Sequence, residues 1–192
     1  GGLVAFPTET VYGLGGNGLN KEASKKIYAA KGRPSDNPLI LHIADMEQFY
    51  PLIKTDNAKI IARAEALADV FWPGPLTMIL PKADNIPYET TGGLDTVAIR
   101  MPSHLVARAL LQECKMPIAA PSANLSGRPS PTSASHVIED MNGRIEMIID
   151  GGDVGIGVES TIIDLTGEVP MLLRPGFVTP EMLQQVLGTV ET

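Results

Sequence analysis

The chain has 192 residues, of which 44% are apolar and 19% charged, the composition of a folded domain with a core of its own rather than of a disordered segment. Fifteen basic against 22 acidic side chains leave a formal charge of -7, which excludes a broadly basic nucleic-acid binder and requires any phosphate-binding cations to be concentrated in one place. A single cysteine, Cys114, excludes an internal disulfide and fits a reducing, cytoplasmic setting, and no apolar run approaches the ~20 residues of a membrane span.

Leu3 to Phe6 reads as a short buried strand, and Pro7-Thr8-Glu9-Thr10-Val11-Tyr12-Gly13-Leu14-Gly15-Gly16-Asn17-Gly18 leaves it as a loop rich in hydroxyls and glycines. Gly13, Gly15 and Gly18 match G-x-G-x-x-G, but six residues including Pro7 part them from the strand. A dinucleotide fingerprint needs its glycines in the strand-to-helix turn itself, so these read as places of close backbone approach. Asn20 caps a helix over Lys21 to Ala30, with Ala23, Ile27 and Ala30 on one face.

That helix delivers the chain to Lys31-Gly32-Arg33-Pro34-Ser35-Asp36-Asn37-Pro38. Two prolines forbid a helix interior and make the stretch a rigid, cation-bearing loop. Lys31 offers a mobile point charge and Arg33 a planar fork, a pair suited to a polyanionic ligand, and Ser35 and Asn37 add neutral hydrogen-bonding groups. A solvated surface turn is the competing reading of this loop by itself.

Leu39 to Ile43 reads as a strand, Asp45 to Leu52 as a short helix, and Thr55 opens a longer helix along Ile60, Ala64, Leu67, Ala68 and Phe71 that Trp72-Pro73-Gly74-Pro75 stops. Strands over Leu76 to Leu80 and Thr96 to Arg100 flank an irregular excursion from Pro81 to Asp95. Ser103 caps a helix to about Lys115, and Ile118 to Ala120 is a further short strand. Pro121 to Pro131 is a second proline-bounded loop with hydroxyls, an amide and one arginine. Then come a helix near Ser133 to Met141, a strand over Ile145 to Ile149, and a third glycine loop from Asp150 to Gly157. Strands over Thr161 to Leu165 and Met171 to Arg174 precede a last helix with Thr179 as cap, Pro180 at its first position and Gly188 at its end. About eight strands and six helices in irregular alternation predict an α/β fold, a mixed twisted β-sheet with packed helices around a concave cationic cavity, in one domain over residues 1–192.

Most of the distinctive polar residues fall at or near strand ends: Thr8 and Thr10, Lys31 and Arg33, His42, Arg100, Ser122 and Asn124, Ser160, Arg174. Strand ends are where α/β sheets place ligands, so these segments can converge on one cavity. Cations and hydroxyls without a nucleophile dyad suit phosphate chemistry done by positioning and charge stabilisation. No P-loop, nucleophile elbow or zincin motif is present, and His42, His104 and His136 lack metal-ligand spacing. His104 and His136 read as surface or packing residues, whereas His42 is open to both a core and a site reading.

Five motifs together resemble the YrdC-like family, the L-threonylcarbamoyladenylate synthases. They are Phe6-Pro7-Thr8-Glu9-Thr10-Val11-Tyr12-Gly13-Leu14, Lys31-Gly32-Arg33-Pro34 with Asn37-Pro38-Leu39 and His42, Pro121 to Gly127, Glu159-Ser160-Thr161-Ile162, and Leu173-Arg174-Pro175-Gly176. The resemblance implies an enzyme that joins L-threonine, bicarbonate or CO2, and ATP into threonylcarbamoyl-AMP and pyrophosphate. Its product would pass to a tRNA threonylcarbamoyl transferase complex, with no stable nucleic-acid binding of its own. Carried over motif by motif, Thr10, His42, Arg100, Ala120 and Ser160 would hold threonine. Lys31, Arg33, Asn37, Thr96, Ser122, Asn124, Ser130 and Arg174 would hold ATP, with Lys31 and Arg33 the candidate catalytic cations. Magnesium is expected with the nucleotide, and no all-protein metal cage is visible. Family members generally carry a helix before the first strand and some a linker and second domain after the core, so an N-terminal element is expected before Gly1 and the second domain is left open. Two other readings stand beside this one: an RNA-binding module, which the acidic charge and 5% aromatic content disfavour, and a carbamoyl-adenylate transfer domain of hydrogenase maturation, which would not need threonine.

Overall fold

A computed structural model describes residues Gly1–Thr192. Nine strands form one sheet: β1 (Val4–Pro7), β2 (Tyr12–Asn17), β3 (Ile40–His42), β4 (Leu76–Pro81), β5 (Thr96–Arg100), β6 (Ile118–Ala119), β7 (Met147–Ile148), β8 (Thr161–Asp164) and β9 (Met171–Arg174). Their order is β7-β1-β2-β6-β3-β5-β4-β8-β9, with β1–β7, β3–β5 and β4–β8 parallel and the other pairs antiparallel. This is the mixed sheet that the adjoining strands predicted.

Seven helices accompany it: α1 (Lys21–Lys31), α2 (Met46–Phe49), α3 (Ala58–Phe71), α4 (Tyr88–Thr91), α5 (Leu105–Cys114), α6 (Ala134–Met141) and α7 (Pro180–Leu187). Side-chain caps set most of their starts, Asn20 accepting from Glu22 and Ala23, Ser133 from His136 and Thr179 from Met182. Gly32 ends α1 in the left-handed conformation at φ 64°, which turns the chain into the cationic loop.

One sheet face is apolar and supplies the core. Leu41, Met78, Ile99 and Ile163 alternate onto it from four adjacent strands, all fully buried, and α3 packs on β4 with α7 against α3. The opposite face carries the polar row. His42 pairs with Arg100, Arg100 with Thr77, Thr77 with Ile162 and Ile162 with Arg174, so a single line of cross-strand neighbours crosses five strands.

The structure corrects several local expectations. The stretch after Pro7 is not all loop: Tyr12–Asn17 is a strand, despite three glycines. At Gly15 a Cβ would come within 2.8 Å of both Ile118 and Phe6, so only a bare backbone passes between β1 and β6, and packing overrides strand propensity. Asn57 rather than Thr55 caps α3, and His104 rather than Ser103 caps α5. The excursion between β4 and β5 contains the short helix α4.

Candidate functional site

The cavity lies over the polar row, walled by the loops that leave β1 and β6 and by those that enter β3 and β8. At one end Arg100 is 4% exposed, a charge that burial alone would not tolerate. Its Nη2 meets Glu9 Oε1 at 2.5 Å and its Nη1 donates to Thr10 Oγ1 at 2.9 Å. The second carboxylate oxygen of Glu9 accepts from the Ser103 amide at 2.8 Å and hydroxyl at 2.7 Å, so Ser103 serves Glu9 instead of a helix. Burial pushes the Glu9 carboxyl up, but Arg100 and the Ser103 bonds outweigh it and hold the group below its ordinary value. Thr10 is steadied in turn by Thr8, whose hydroxyl lies 2.9 Å away. Arg100 Nε is buried and the one nitrogen of this guanidinium without a partner.

His42 stands beside Arg100 with Nδ1 3.1 Å from the Ile40 carbonyl, which can only accept, so the proton sits on Nδ1. Burial first and the Arg100 charge second push its pKa down to about 3, and the ring is a neutral hydrogen-bonding group rather than a cation.

At the other end Arg33 and Arg174 present their forks. Arg33 donates through Nε to Asn37 O at 3.2 Å and through Nη2 to Pro38 O at 2.9 Å, so the proline-bounded loop folds back on its own guanidinium. Arg174 donates through Nε to Ser160 O at 3.0 Å and through Nη2 to Ser160 Oγ at 3.2 Å, while Nη1 pairs with Glu159 at 2.5 Å. Ser160 Oγ also lies 2.7 Å from Thr77 Oγ1, which ties the hydroxyl to the middle strand of the row. Burial lowers the pKa of Arg33 and of Arg174, and Glu159 opposes that shift in both.

The structure thus brings Thr10, Arg33, Asn37, His42, Arg100, Ala120, Ser122, Ser160 and Arg174 to one cavity wall. Four expected residues lie elsewhere. Lys31 is not a mobile cation: it is 2% exposed, and Nζ donates to the carbonyl of Ser122, to Asn124 O at 2.7 Å and to Asn124 Oδ1 at 3.4 Å. Burial and the neighbouring Arg33 charge push its pKa down to about 8. Asn124 is spent within its own loop, donating to Leu125 O at 2.9 Å and Arg128 O at 2.8 Å. Thr96 begins β5 opposite Pro81, away from the cavity lining. Ser130 lines a neighbouring hollow and reaches the site only by donating to Glu159 Oε1 at 3.1 Å.

Sequence reasoning passed over Glu9, Glu159 and Thr77. Both carboxylates lie inside quoted motifs, and their signal was the need of a buried arginine for a counter-charge. No group of three histidine, cysteine, aspartate or glutamate side chains is placed to hold a metal ion, and no helix is long and apolar enough to cross a membrane.

Fold and site together define an α/β protein whose cavity joins a buried arginine and hydroxyls to a pair of arginine forks. A family model for Sua5, YciO and YrdC, described as "Telomere recombination", matches residues 1–176, and the chain belongs to this family. It is 60% identical over 190 residues to the threonylcarbamoyl-AMP synthase of Pyrococcus abyssi, covering 99% of this chain and 55% of that protein. The Bacillus subtilis threonylcarbamoyl-AMP synthase is 57% identical, covering 98% and 54%. A crystal structure of P. abyssi Sua5 complexed with L-threonine matches with a TM-score of 0.95 at 58% identity, over 99% of this chain and 55% of that one. The chain therefore spans about half the length of these relatives.

Proposed function

We propose that the chain is the catalytic part of an L-threonylcarbamoyladenylate synthase. The observation that carries this reading is the division of one cavity into two chemically distinct ends: the Glu9-held Arg100 with Thr10 and neutral His42 at one, and the forks of Arg33 and Arg174 at the other. The first end fits an amino acid, whose carboxylate would face Arg100 and whose hydroxyl and amine would find threonine side chains and an uncharged imidazole. The second fits a polyphosphate, and the name and L-threonine complex of the relatives above point the same way.

In the reaction the threonine nitrogen takes up CO2, or bicarbonate with loss of water, to form a carbamate. One carbamate oxygen then attacks the α-phosphorus of ATP as the bond to the pyrophosphate oxygen breaks. The protein's share is to orient the two reactants and to meet the charge on the leaving pyrophosphate, the role this reading gives to Arg33 and Arg174. Magnesium would arrive on the phosphates, neutralise part of their charge and draw most of its ligands from them, since the site offers no cage of its own. The product would pass to a tRNA threonylcarbamoyl transferase complex, the compartment being the cytoplasm.

The test is pyrophosphate release from ATP and bicarbonate with L-threonine, with L-serine and without either, alongside calorimetric titrations of threonine and ATP. Threonine-dependent release, cut at least tenfold by Arg33→Lys because a fork becomes a point charge, is the expected result. Release that ignores threonine, or binding of neither ligand, would sink the assignment.

A further inference from the structure

Glu159 stands between the glycine loop and Ser160, and its carboxylate reaches into the phosphate end of the cavity. Oε2 pairs with Arg174 Nη1 at 2.5 Å, and Oε1 accepts from Ser130 Oγ at 3.1 Å. These are two of the donors expected to serve ATP. The two oxygens of one carboxylate therefore engage them both at once, with the geometry that two oxygens of a phosphate would use. Glu159 is also the one acidic side chain in the cavity lining, and its charge reaches Lys31 and Arg33 as well as Arg174.

A role in stability is a weak reason for this arrangement. The paired side chains of Arg174 and Glu159 are 33% and 36% exposed, the class of solvent-screened ion pair that adds little to stability. Contrast Glu9, whose partner Arg100 is fully enclosed and cannot stand without it. Around Glu159 a Cβ on Gly176 would come within 2.8 Å of the Glu159 carbonyl and 2.7 Å of the Thr161 amide, so the two segments are packed backbone to backbone.

We propose that Glu159 is a displaceable stand-in for a phosphate group: its carboxylate ties Arg174, in the cavity lining, to Ser130 of the neighbouring hollow, and it has to swing off the guanidinium before a polyphosphate can take the same fork. The proposal rests on the polyphosphate reading of this end of the cavity. Glu159 keeps the guanidinium aimed, and its departure sets the threshold that an incoming anion has to overcome. A lone weak anion competes poorly with it; a polyphosphate, which contacts Arg33 at the same time, competes well.

The consequence runs against the usual effect of removing a site residue. Glu159→Gln keeps the shape and loses the charge, so inorganic pyrophosphate, titrated by calorimetry without divalent cations, should bind about three- to tenfold more tightly than to the unaltered chain. Glu159→Ala should tighten it too, and melting curves of both variants show whether the fold is kept. A residue with only a structural role would weaken binding when removed. Unchanged or weaker binding by folded variants overturns the proposal, as does loss of the fold in both. A weakening seen only when magnesium is added would make Glu159 a metal ligand and overturn it as well. Failure of the unaltered chain to bind pyrophosphate or ATP at all would remove the polyphosphate reading itself, a different result from a site that binds but does not tighten.

Discussion

Lys31 and Asn124 are joined twice, Nζ donating to the backbone oxygen at 2.7 Å and to the side-chain oxygen at 3.4 Å, and the amide of Ser126 returns a bond to the Lys31 carbonyl at 2.9 Å. The end of α1 is thereby riveted to the loop after β6, which carries Ser122 and Ala120 along the cavity wall. In this arrangement the ammonium of Lys31 holds the loop that carries those residues.

Lys31→Met keeps most of the buried stem and removes the ammonium, leaving the Ser122 and Asn124 carbonyls unsatisfied. We expect a loss of about 2–4 kcal/mol in urea unfolding, together with weaker nucleotide binding. If stability is unchanged while nucleotide affinity drops, Lys31 is a ligand contact after all.

Glu9→Gln leaves Arg100 as an enclosed cation without a counter-ion. Such a break costs about 3–5 kcal/mol, and threonine affinity should fall with it because the guanidinium loses the anchor that aims Nε. Unfolding midpoints and a threonine titration check this; a loss under about 1 kcal/mol with unchanged threonine binding would contradict it.

His42 makes the fold sensitive to mild acid. Its pKa is about 3 when folded against 6.5 in an open chain, so between those values the unfolded state binds a proton that the folded state refuses. Stability is therefore fully present above 6.5 and declines as pH falls through that window, by about 1.4 kcal/mol per pH unit. Glu9 is also held low and adds its own loss only below 4.5, so the interval just under 6.5 isolates the imidazole. Denaturant titrations there should show a slope that His42→Gln flattens, by about half a proton near 6.5 and rising toward one below it; an equal slope in the variant would assign the effect elsewhere.

Much of the fold could be read before the structure, because it is written in local chemistry. Asn20 and Thr179 cap the helices expected of them, and proline and glycine punctuate the loops as expected. What escaped was set by partners far away in the chain. The glycine-rich strand β2 exists because Phe6 and Ile118 leave room only for bare backbone, and Ser103 gave up its capping role to a carboxylate 94 residues earlier. At the site, the search for cations to meet an anion found Arg33, Arg100 and Arg174, but a cation's own counter-charge leaves no local pattern, so Glu9 and Glu159 went unread. Lys31 was misjudged for the same reason: whether a lysine is mobile depends on which carbonyls surround it, and those belong to residues 122 and 124.

The polar row from His42 to Arg174 has a consequence for how the protein is made. Its middle strand β4 is complete by Pro81, yet its parallel neighbour β8 starts only at Thr161. While ribosomes add the residues between, β4 presents Thr77 and Ile79 along an open, hydrogen-bond-hungry margin, the kind of surface that pairs with other nascent chains. Crowded synthesis, or a pause before β8, should therefore be the most aggregation-prone interval in the life of this protein, and the cavity can first close only when Arg174 has emerged.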